Sequence, residues 1–395
     1  MHPVVIYTLP RLDHGGTEMR SLQLFRHLRQ TCPGLRIVIH STSPEAGRLD
    51  AAFEQAGATI LRGRPGWRGL VDFHRHCRES GATVAHLNMG MKSGFYVLAA
   101  WLAGVKTRIS HFRIETEDRF TFYSRARGRL GVWLMLLLGT AIVGVSKAAR
   151  LYPRIPERRW QTLYNGIAAE DPALAPERRT VAPDGTRTLL VLGRIDENKN
   201  AVRAVSVFEA LCRATGDAGL RLRFVGAGPE TERARLRARI QASPLAGRIA
   251  MHEVTDDPLP HLREASALLL LSRREGLPGV VLEALAAGTP VVASDIPAVR
   301  EIAEAVTGIS LVPLDAPDNI WAEAIGRATS EDQAAAIAAA FARGPFLFDD
   351  HVAGVATLWG LSPAAVAEPA ERQPRSAPER APVPVAMAGP EAAIG

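Results

Sequence analysis

The sequence of 395 residues has few cysteines and no long hydrophobic run. Its three cysteines, Cys32, Cys77 and Cys212, lie far apart, with no C-x-x-C pair and no histidine at ligand spacing. This excludes a disulfide scaffold and a zinc ribbon, and it indicates a reducing compartment. The apolar stretch 131–145, which carries no charge, has 15 residues, fewer than the roughly 18 to 20 that span a bilayer.

Signatures of other classes are also missing. The sequence has no G-x-x-x-x-G-K-[ST] loop, which argues against a P-loop NTPase, and no Asp-x-Asp pair, so we expect no metal. Aromatic residues make up 6%, and without a visible binding module we expect no nucleic-acid partner. The start, Met1-His2-Pro3, lacks the basic segment of a signal peptide. We therefore expect a cytoplasmic protein, peripheral at the inner face of the plasma membrane at most.

The net charge of +6 divides unevenly along the chain. Residues 1–175 hold 24 Lys or Arg against 13 Asp or Glu, whereas residues 176–395 hold 23 against 28. The first half is thus basic and the second mildly acidic. An anionic surface or substrate is expected to approach the first half.

Short apolar runs alternate with longer amphipathic stretches along most of the chain. The predicted strands are 4–8, 36–40, 59–61, 83–87, 107–111, 141–146, 188–192, 221–225, 248–252, 267–271, 290–293 and 309–312. Helical patterns between them include 18–29, 48–56, 69–80, 93–103, 201–213, 230–242 and 321–329. Strand–helix alternation of this kind builds right-handed βαβ units with parallel strands, so the predicted class is α/β with two doubly wound domains.

The predicted divisions follow composition. The domains are 1–168 and 186–345, separated by a Pro- and Arg-rich linker at 169–185 and followed by a C-terminal helix at 346–361. Residues 362–395 are mainly Ala, Pro, Glu and Arg, so they cannot bury enough apolar surface to offset their ordering entropy, and we expect disorder there.

The most specific motif begins at Glu275 and runs through Glu283 to Gly288. It follows an apolar strand, and its prolines and glycines predict a helix over 279–287. Glu275 then lies at the carboxyl edge of a parallel sheet, where open α/β sheets bind ligands. The N–H groups of Gly276, Leu277 and Gly279 at the helix start would hold an anion. Alone, either glutamate is more simply a solvated charge; the full string indicates a site.

Two other loops point to the same ligand chemistry. Arg194 and Lys199 bracket a polar loop between a strand and a helix, where two cations suit a diphosphate. Gly15 and Gly16 follow the first strand, where backbone can approach a ligand closely. Solvated loop cations and a plain βα turn are the alternatives. Gly226-Ala-Gly228-Pro229 is only an incomplete dinucleotide fingerprint.

Together these motifs, with Asn165-Gly166-Ile167 in between, resemble the retaining glycosyltransferases of family 4, which have the GT-B fold. The resemblance implies two Rossmann-like domains facing a cleft, the first on the acceptor side and the second holding a UDP- or GDP-sugar. It implies no cofactor and no metal. The acceptor would be a glycan or a polyprenyl-diphosphate-linked sugar of bacterial cell-surface polysaccharide, including lipopolysaccharide.

The resemblance also assigns roles. Arg194 and Lys199 would bind the diphosphate, Glu275 the sugar hydroxyls with the N–H groups of Gly276 and Leu277 nearby, and Glu283 the ribose. Gly15 and Gly16 would let the first domain close on the phosphates. His111 would line the donor sugar, His86 would lie on the acceptor side, and Val254 would contact the base.

The sequence departs from the pattern of this family at two of these places. Many members of the family read His-x-His where this chain has His111-Phe-Arg113. Arg113 therefore alters the expected acceptor contacts. Glu253 stands where relatives usually carry Gly, which leaves the nucleotide base open.

One basic stretch fits none of these motifs. The segment 119–129, from Arg119 to Arg129, combines arginines with aromatic residues and precedes an apolar run. It suits either docking on an anionic membrane or a surface helix with a buried apolar face followed by a core strand. For the whole chain, the alternatives to a transferase are a nucleotide-sugar epimerase of the same fold and a non-catalytic, membrane-docked assembly protein.

Overall fold

The computed structural model describes residues 2–13, 15–113, 122–167, 185–255, 257–330, 333–362 and 366. Most of the predicted linker 169–185 and nearly all of the predicted tail 362–395 lie outside the described residues. So do Arg119 and the side chains of residues 122–124. The exact domain boundaries therefore stay predictions.

The first half of the chain forms a seven-stranded parallel sheet in the order β3-β2-β1-β4-β5-β6-β7. Its strands are β1 Val4–Leu9, β2 Arg36–Ser41, β3 Ala58–Arg62, β4 Val84–Leu87, β5 Thr107–Phe112, β6 Ala141–Gly144 and β7 Trp160–Thr162. Among the described residues of this half, five helices alternate with the strands: α1 Gly16–Thr31, α2 Asp50–Gln55, α3 Trp67–Ser80, α4 Ser93–Leu102 and α5 Phe122–Leu138. Apolar side chains on both faces of the sheet are buried under the helices, as expected for parallel strands.

The second half forms a six-stranded parallel sheet in the order β10-β9-β8-β11-β12-β13. Its strands are β8 Arg187–Leu192, β9 Leu220–Val225, β10 Ile249–His252, β11 Ala265–Leu270, β12 Val291–Ser294 and β13 Ile309–Val312. The helices here are α6 Ala201–Thr215, α7 Glu230–Gln241, α8 Leu259–Glu264, α9 Gly279–Ala286, α10 Pro297–Ala305, α11 Asp318–Ala328, α12 Ala334–Ala342 and α13 Phe348–Trp359.

The predicted fold class is confirmed, and each of the twelve predicted strands is present with ends shifted by a few residues. The structure also has an edge strand, β7, that was not predicted. In the described part of the chain, no helix combines the length and the apolar character needed to cross a membrane.

The last helix, α13, follows the second sheet in the chain but packs on the first. Its residues Val352, Val355 and Trp359 belong to the core around β1 and α1. Residues 166–167 and 346–348, which pass between the two halves, run side by side: Ile167 N donates to Phe346 O at 2.9 Å, and Phe348 N donates to Ile167 O at 3.0 Å. Gly166 has no room for a Cβ against Phe348 and Leu347, so the motif glycine is explained by this close crossing.

A second link between the halves is made by Glu301 of α10. Its carboxylate accepts the backbone N–H of Lys147, 2.9 Å from each oxygen, and the hydroxyl of Tyr164 at 2.7 Å. Burial and the neighbouring Glu301 carboxylate raise the pKa of Tyr164. The hydroxyl therefore stays a donor, and α10 remains tied to the carboxyl edge of the first sheet.

Candidate active site

The loops that follow β8 and β11 meet at the carboxyl edge of the second sheet. Between them lies a small cavity lined by Gly193, Arg194, Lys199 and Ser272 together with apolar strand residues. Asn198 links the two loops: its side-chain Nδ2 donates to the backbone carbonyl of Arg274 at 2.9 Å, and its backbone carbonyl accepts the N–H of Arg273 at 2.9 Å. Two motifs separated by about 75 residues in the sequence thus form one surface.

Lys199 and Glu275 are in direct contact. The Lys199 Nζ donates to Glu275 Oε1 at 2.6 Å, and both side chains are mostly buried. Two residues with positive φ allow this geometry: Gly193, with φ +133°, and Asn200, the N-cap of α6, with φ +55°. The structure therefore brings together the cation and the carboxylate that the sequence placed in separate motifs.

Arg194 points outward beside them. Its side chain is 75% exposed, and its Nε donates to Asp196 Oδ2 at 3.0 Å. The other Asp196 oxygen accepts the backbone N–H of Lys199 at 2.9 Å. Asp196, which was not among the predicted site residues, thus pairs with the Arg194 side chain and holds the backbone of Lys199. The local signal is an Asp whose side chain can accept a backbone N–H three residues later, just before the start of α6.

The helix α9 begins beside Glu275, with Pro278 as its N-cap. The loop residues Gly276 and Leu277 are buried. Gly288, with φ +73°, ends the helix, and Thr289 N closes on Ala284 O at 2.7 Å. The observed Gly279–Ala286 agrees with the predicted 279–287 within one residue. The first N–H groups of an α-helix have no partner within the helix, and anion binding by those at the start of α9 stays a prediction.

Glu283, one turn into α9, forms an ion pair with Arg20 of α1, a residue of the first half. Burial raises the pKa of Glu283, and Arg20 opposes that rise. Arg20 also passes close to Gly279 at the helix start. Nothing in the local sequence singles out Arg20, because its partner is 263 residues away.

The contact between Arg20 and Glu283 should be measurable as a coupling between the two halves. Both side chains are three-quarters or more buried, so we expect a coupling free energy of about 1 kcal/mol. A double-mutant cycle of Arg20→Ala and Glu283→Ala in urea unfolding would measure it. Strictly additive effects of the two substitutions would show that the ion pair contributes nothing.

The first half presents Gly15 and Gly16 at the start of α1, with Gly15 as the N-cap. A Cβ at Gly16 would meet no atom within 4 Å, so space remains open on that side. Glu18 folds back over Gly15 and is buried. Burial raises the pKa of Glu18, and the charges of Arg113 and Arg194 oppose the rise. The Glu18 carboxyl group therefore interacts electrostatically with a cation from each half of the chain.

His111 is fully buried in the first half and belongs to a chain of hydrogen bonds. Trp359 Nε1 donates to His86 Nδ1 at 2.9 Å, and His86 Nε2 lies 2.9 Å from His111 Nδ1. Because a Trp N–H can only donate, the His86 proton is on Nε2, and that of His111 is also on Nε2. Burial holds the pKa of both rings well below the usual histidine range. His111 Nε2 has no partner among the described residues, and its predicted sugar contact stays a prediction.

Arg113 lies two residues beyond His111 and ties several strand ends together. It donates to Asn88 Oδ1 at 2.9 Å, to Asn165 Oδ1 at 2.7 Å and to the Tyr7 hydroxyl at 2.7 Å. These partners come from β1, from the loop after β4 and from the segment that crosses between the halves. Arg113, which replaces the second histidine of the family's His-x-His, therefore holds these segments together at the carboxyl edge of the first sheet.

The remaining predicted residue, Val254, is half exposed after β10. Its neighbour Glu253 forms an ion pair with Arg233, which also donates to Gly226 O at 3.0 Å. Gly226 and Gly228 have no room for a Cβ because the backbone of 193–195 passes directly over them. These glycines therefore allow the two loops to pack closely.

Known proteins share both this sequence pattern and this fold. Residues 186–331 match the family model for glycosyl transferases group 1. Over 302 residues the chain is 23% identical to the capsular polysaccharide biosynthesis glycosyltransferase CapH of Staphylococcus aureus, covering 74% of this chain and 81% of that one. It is 24% identical to the putative glycosyltransferase EpsF of Bacillus subtilis, covering 82% and 88%.

The chain is a glycosyltransferase.

The fold of this glycosyltransferase is GT-B, as predicted. The structure of HepE from Anabaena in complex with UDP-glucose superposes with a TM-score of 0.73 and 17% identity, over 91% of this chain and all of that one. The assignment to family 4 fits these findings.

Proposed function

We propose that this glycosyltransferase moves a sugar from a nucleoside diphosphate to a hydroxyl of a glycan or lipid-linked acceptor in cell-surface polysaccharide synthesis. The observation that carries the proposal is the Lys199–Glu275 pair, 2.6 Å apart, beside Arg194 and the start of α9. Similarity to CapH, named for capsular polysaccharide, and to HepE, solved with UDP-glucose, supports the acceptor and donor classes. We place the enzyme in the cytoplasm, at the inner face of the membrane.

The diphosphate would lie between the two cations and the helix start. Arg194 is exposed and can turn its planar fork toward phosphate oxygens, while Lys199 supplies a compact charge from a fixed position. A bound phosphate would compete with Glu275 for the side-chain ammonium group of Lys199. The carboxylate of Glu275 would then be free to accept hydrogen bonds from sugar hydroxyls, and Glu283 those of the ribose.

The reaction we propose retains the configuration at the anomeric carbon. The bond from that carbon to the phosphate oxygen breaks, the acceptor oxygen bonds to the same face, and the acceptor proton passes to the departing phosphate. The charge that develops on the leaving phosphate is stabilised by Arg194, Lys199 and the α9 dipole. Because these groups supply positive charge, we propose that no metal ion is required.

A screen of UDP-, GDP- and ADP-sugars, read by mass spectrometry with and without a saccharide or lipid-linked acceptor, tests this function. We expect one donor to yield a glycosylated product, with nucleoside diphosphate formed in step and the rate unchanged by EDTA. An isomerised sugar nucleotide formed without acceptor would identify an epimerase instead. Absence of both donor binding and turnover would favour an assembly protein.

A further inference from the structure

Helix α5 packs closely against α4 and the residues just before it. Gly131 has no room for a Cβ against the carbonyl of Met91, and Gly94 of α4 has none against Gly131. Leu134 and Met135 continue this buried face. The glycines thus fix which side of α5 faces the protein and which faces outward.

The outward side is apolar as well. Leu130, Trp133 and Leu137 are 49%, 57% and 61% exposed. Their spacing of three and four residues places them along one stripe of the helix, opposite the glycines. Trp101 and Leu102, at the end of the neighbouring α4, are also about half exposed or more. Large apolar side chains in solvent at consecutive helix turns indicate a contact surface.

Arginines border this stripe. Arg125, Arg127 and Arg129 are all exposed, and at 100° per residue Arg127 and Arg129 lie on opposite flanks of the stripe. At the other end of α5, the exposed Arg159 donates to the carbonyl of Leu136 at 3.1 Å. Neither α4 nor α5 contains an Asp or Glu.

We propose that the face of α5 formed by Leu130, Trp133 and Leu137 docks on an anionic bilayer surface. The apolar side chains would enter the boundary between headgroups and acyl chains, and the flanking arginines would pair with lipid phosphates. This rests on the proposed function, since a lipid-linked acceptor must be met at a membrane. It replaces the general expectation for 119–129 with a defined helix face.

Charge favours a membrane over a second copy of this chain. In a twofold contact the same surface meets itself, so the arginines that flank each stripe would be brought toward those of the partner. An anionic lipid surface supplies the opposite charge along the whole stripe.

Vesicle co-sedimentation of the full chain tests the proposal. We expect binding to vesicles of phosphatidylcholine with one-third phosphatidylglycerol to exceed binding to phosphatidylcholine alone by about tenfold or more, and to fall in 0.5 M NaCl. The double substitution Trp133→Ser and Leu137→Ser should weaken binding by at least about tenfold. Trp67→Ser is the matched control, because Trp67 is 70% exposed beside Arg68 at the start of α3, and it should leave binding unchanged.

Equal binding of the double variant and the unmodified chain would overturn the proposal. So would a concentration-dependent dimer that the double substitution dissolves, without any vesicle binding. Donor turnover is followed separately with a water-soluble acceptor. Vesicle binding without turnover would support the docking face and refute the proposed function. Turnover without vesicle binding would support the proposed function and refute the docking face.

Discussion

Replacing Lys199 with Ala should lower the rate of sugar transfer by about a thousandfold while the protein stays folded. Removal of one fixed group that stabilises developing charge typically costs a hundredfold to a thousandfold in kcat. Lys199 also holds Glu275 through the 2.6 Å contact, so its loss disturbs the sugar side as well. The turnover number at saturating donor, measured by release of nucleoside diphosphate with acceptor present, gives the result.

Glu275→Ala should cause a loss of similar size, and the double variant should lose little more, because the two residues act as one unit. Lys106→Ala is the matched control: Lys106 is exposed and precedes β5, at the edge of the first sheet away from the cleft. Near-normal turnover in both Lys199→Ala and Glu275→Ala would refute the assignment of the site.

Trp359→Ala should destabilise the protein by about 3–5 kcal/mol, the range for truncating a large buried side chain. Trp359 is 2% exposed in the first core, and its Nε1 donates to His86 Nδ1 at 2.9 Å. The substitution opens a cavity and leaves a buried histidine nitrogen without its donor. Urea unfolding of the full chain, followed by far-UV circular dichroism, measures the loss.

Two variants separate packing from hydrogen bonding in that result. Trp359→Phe keeps one aromatic ring but loses the donor and part of the ring volume, so we expect about 1–2 kcal/mol, less than for Trp359→Ala. Thr357→Ala, at an exposed position on the same helix, should stay within about 0.5 kcal/mol. A small effect of Trp359→Ala, equal to that of Thr357→Ala, would show that α13 does not stabilise the first core.

The strands and most helices were predictable because their signal is local. Buried parallel strands appear as short apolar runs, and amphipathic helices separate them, as for β8 and α6. Strand β7 was missed because it is only three residues long, at the sheet edge, with a polar Gln161 at its centre. The docking of α13 on the first core was equally hidden, since its apolar stripe does not reveal which core it will cover.

The candidate site divides in the same way. Lys199 and Glu275 lie in motifs with strand–loop–helix context, so their meeting at one sheet edge followed from topology. The pairing of Arg20 with Glu283 depends on how the two halves face each other, which no local pattern encodes. The glycines at 226 and 228 form only an incomplete dinucleotide fingerprint, and in the structure they leave room for the backbone of 193–195 that passes over them.

Titration calorimetry of UDP, GDP and ADP against the unmodified chain and Lys199→Ala tests the central claim most directly. That claim is that the edge formed by Arg194, Lys199, Glu275 and α9 binds the diphosphate of a sugar nucleotide. We predict that one nucleoside diphosphate binds the unmodified chain and binds Lys199→Ala at least about tenfold more weakly, since a charged hydrogen bond contributes about 1.5–3 kcal/mol. Equal affinity in the two proteins, or no binding of any of the three to the unmodified chain, would contradict it.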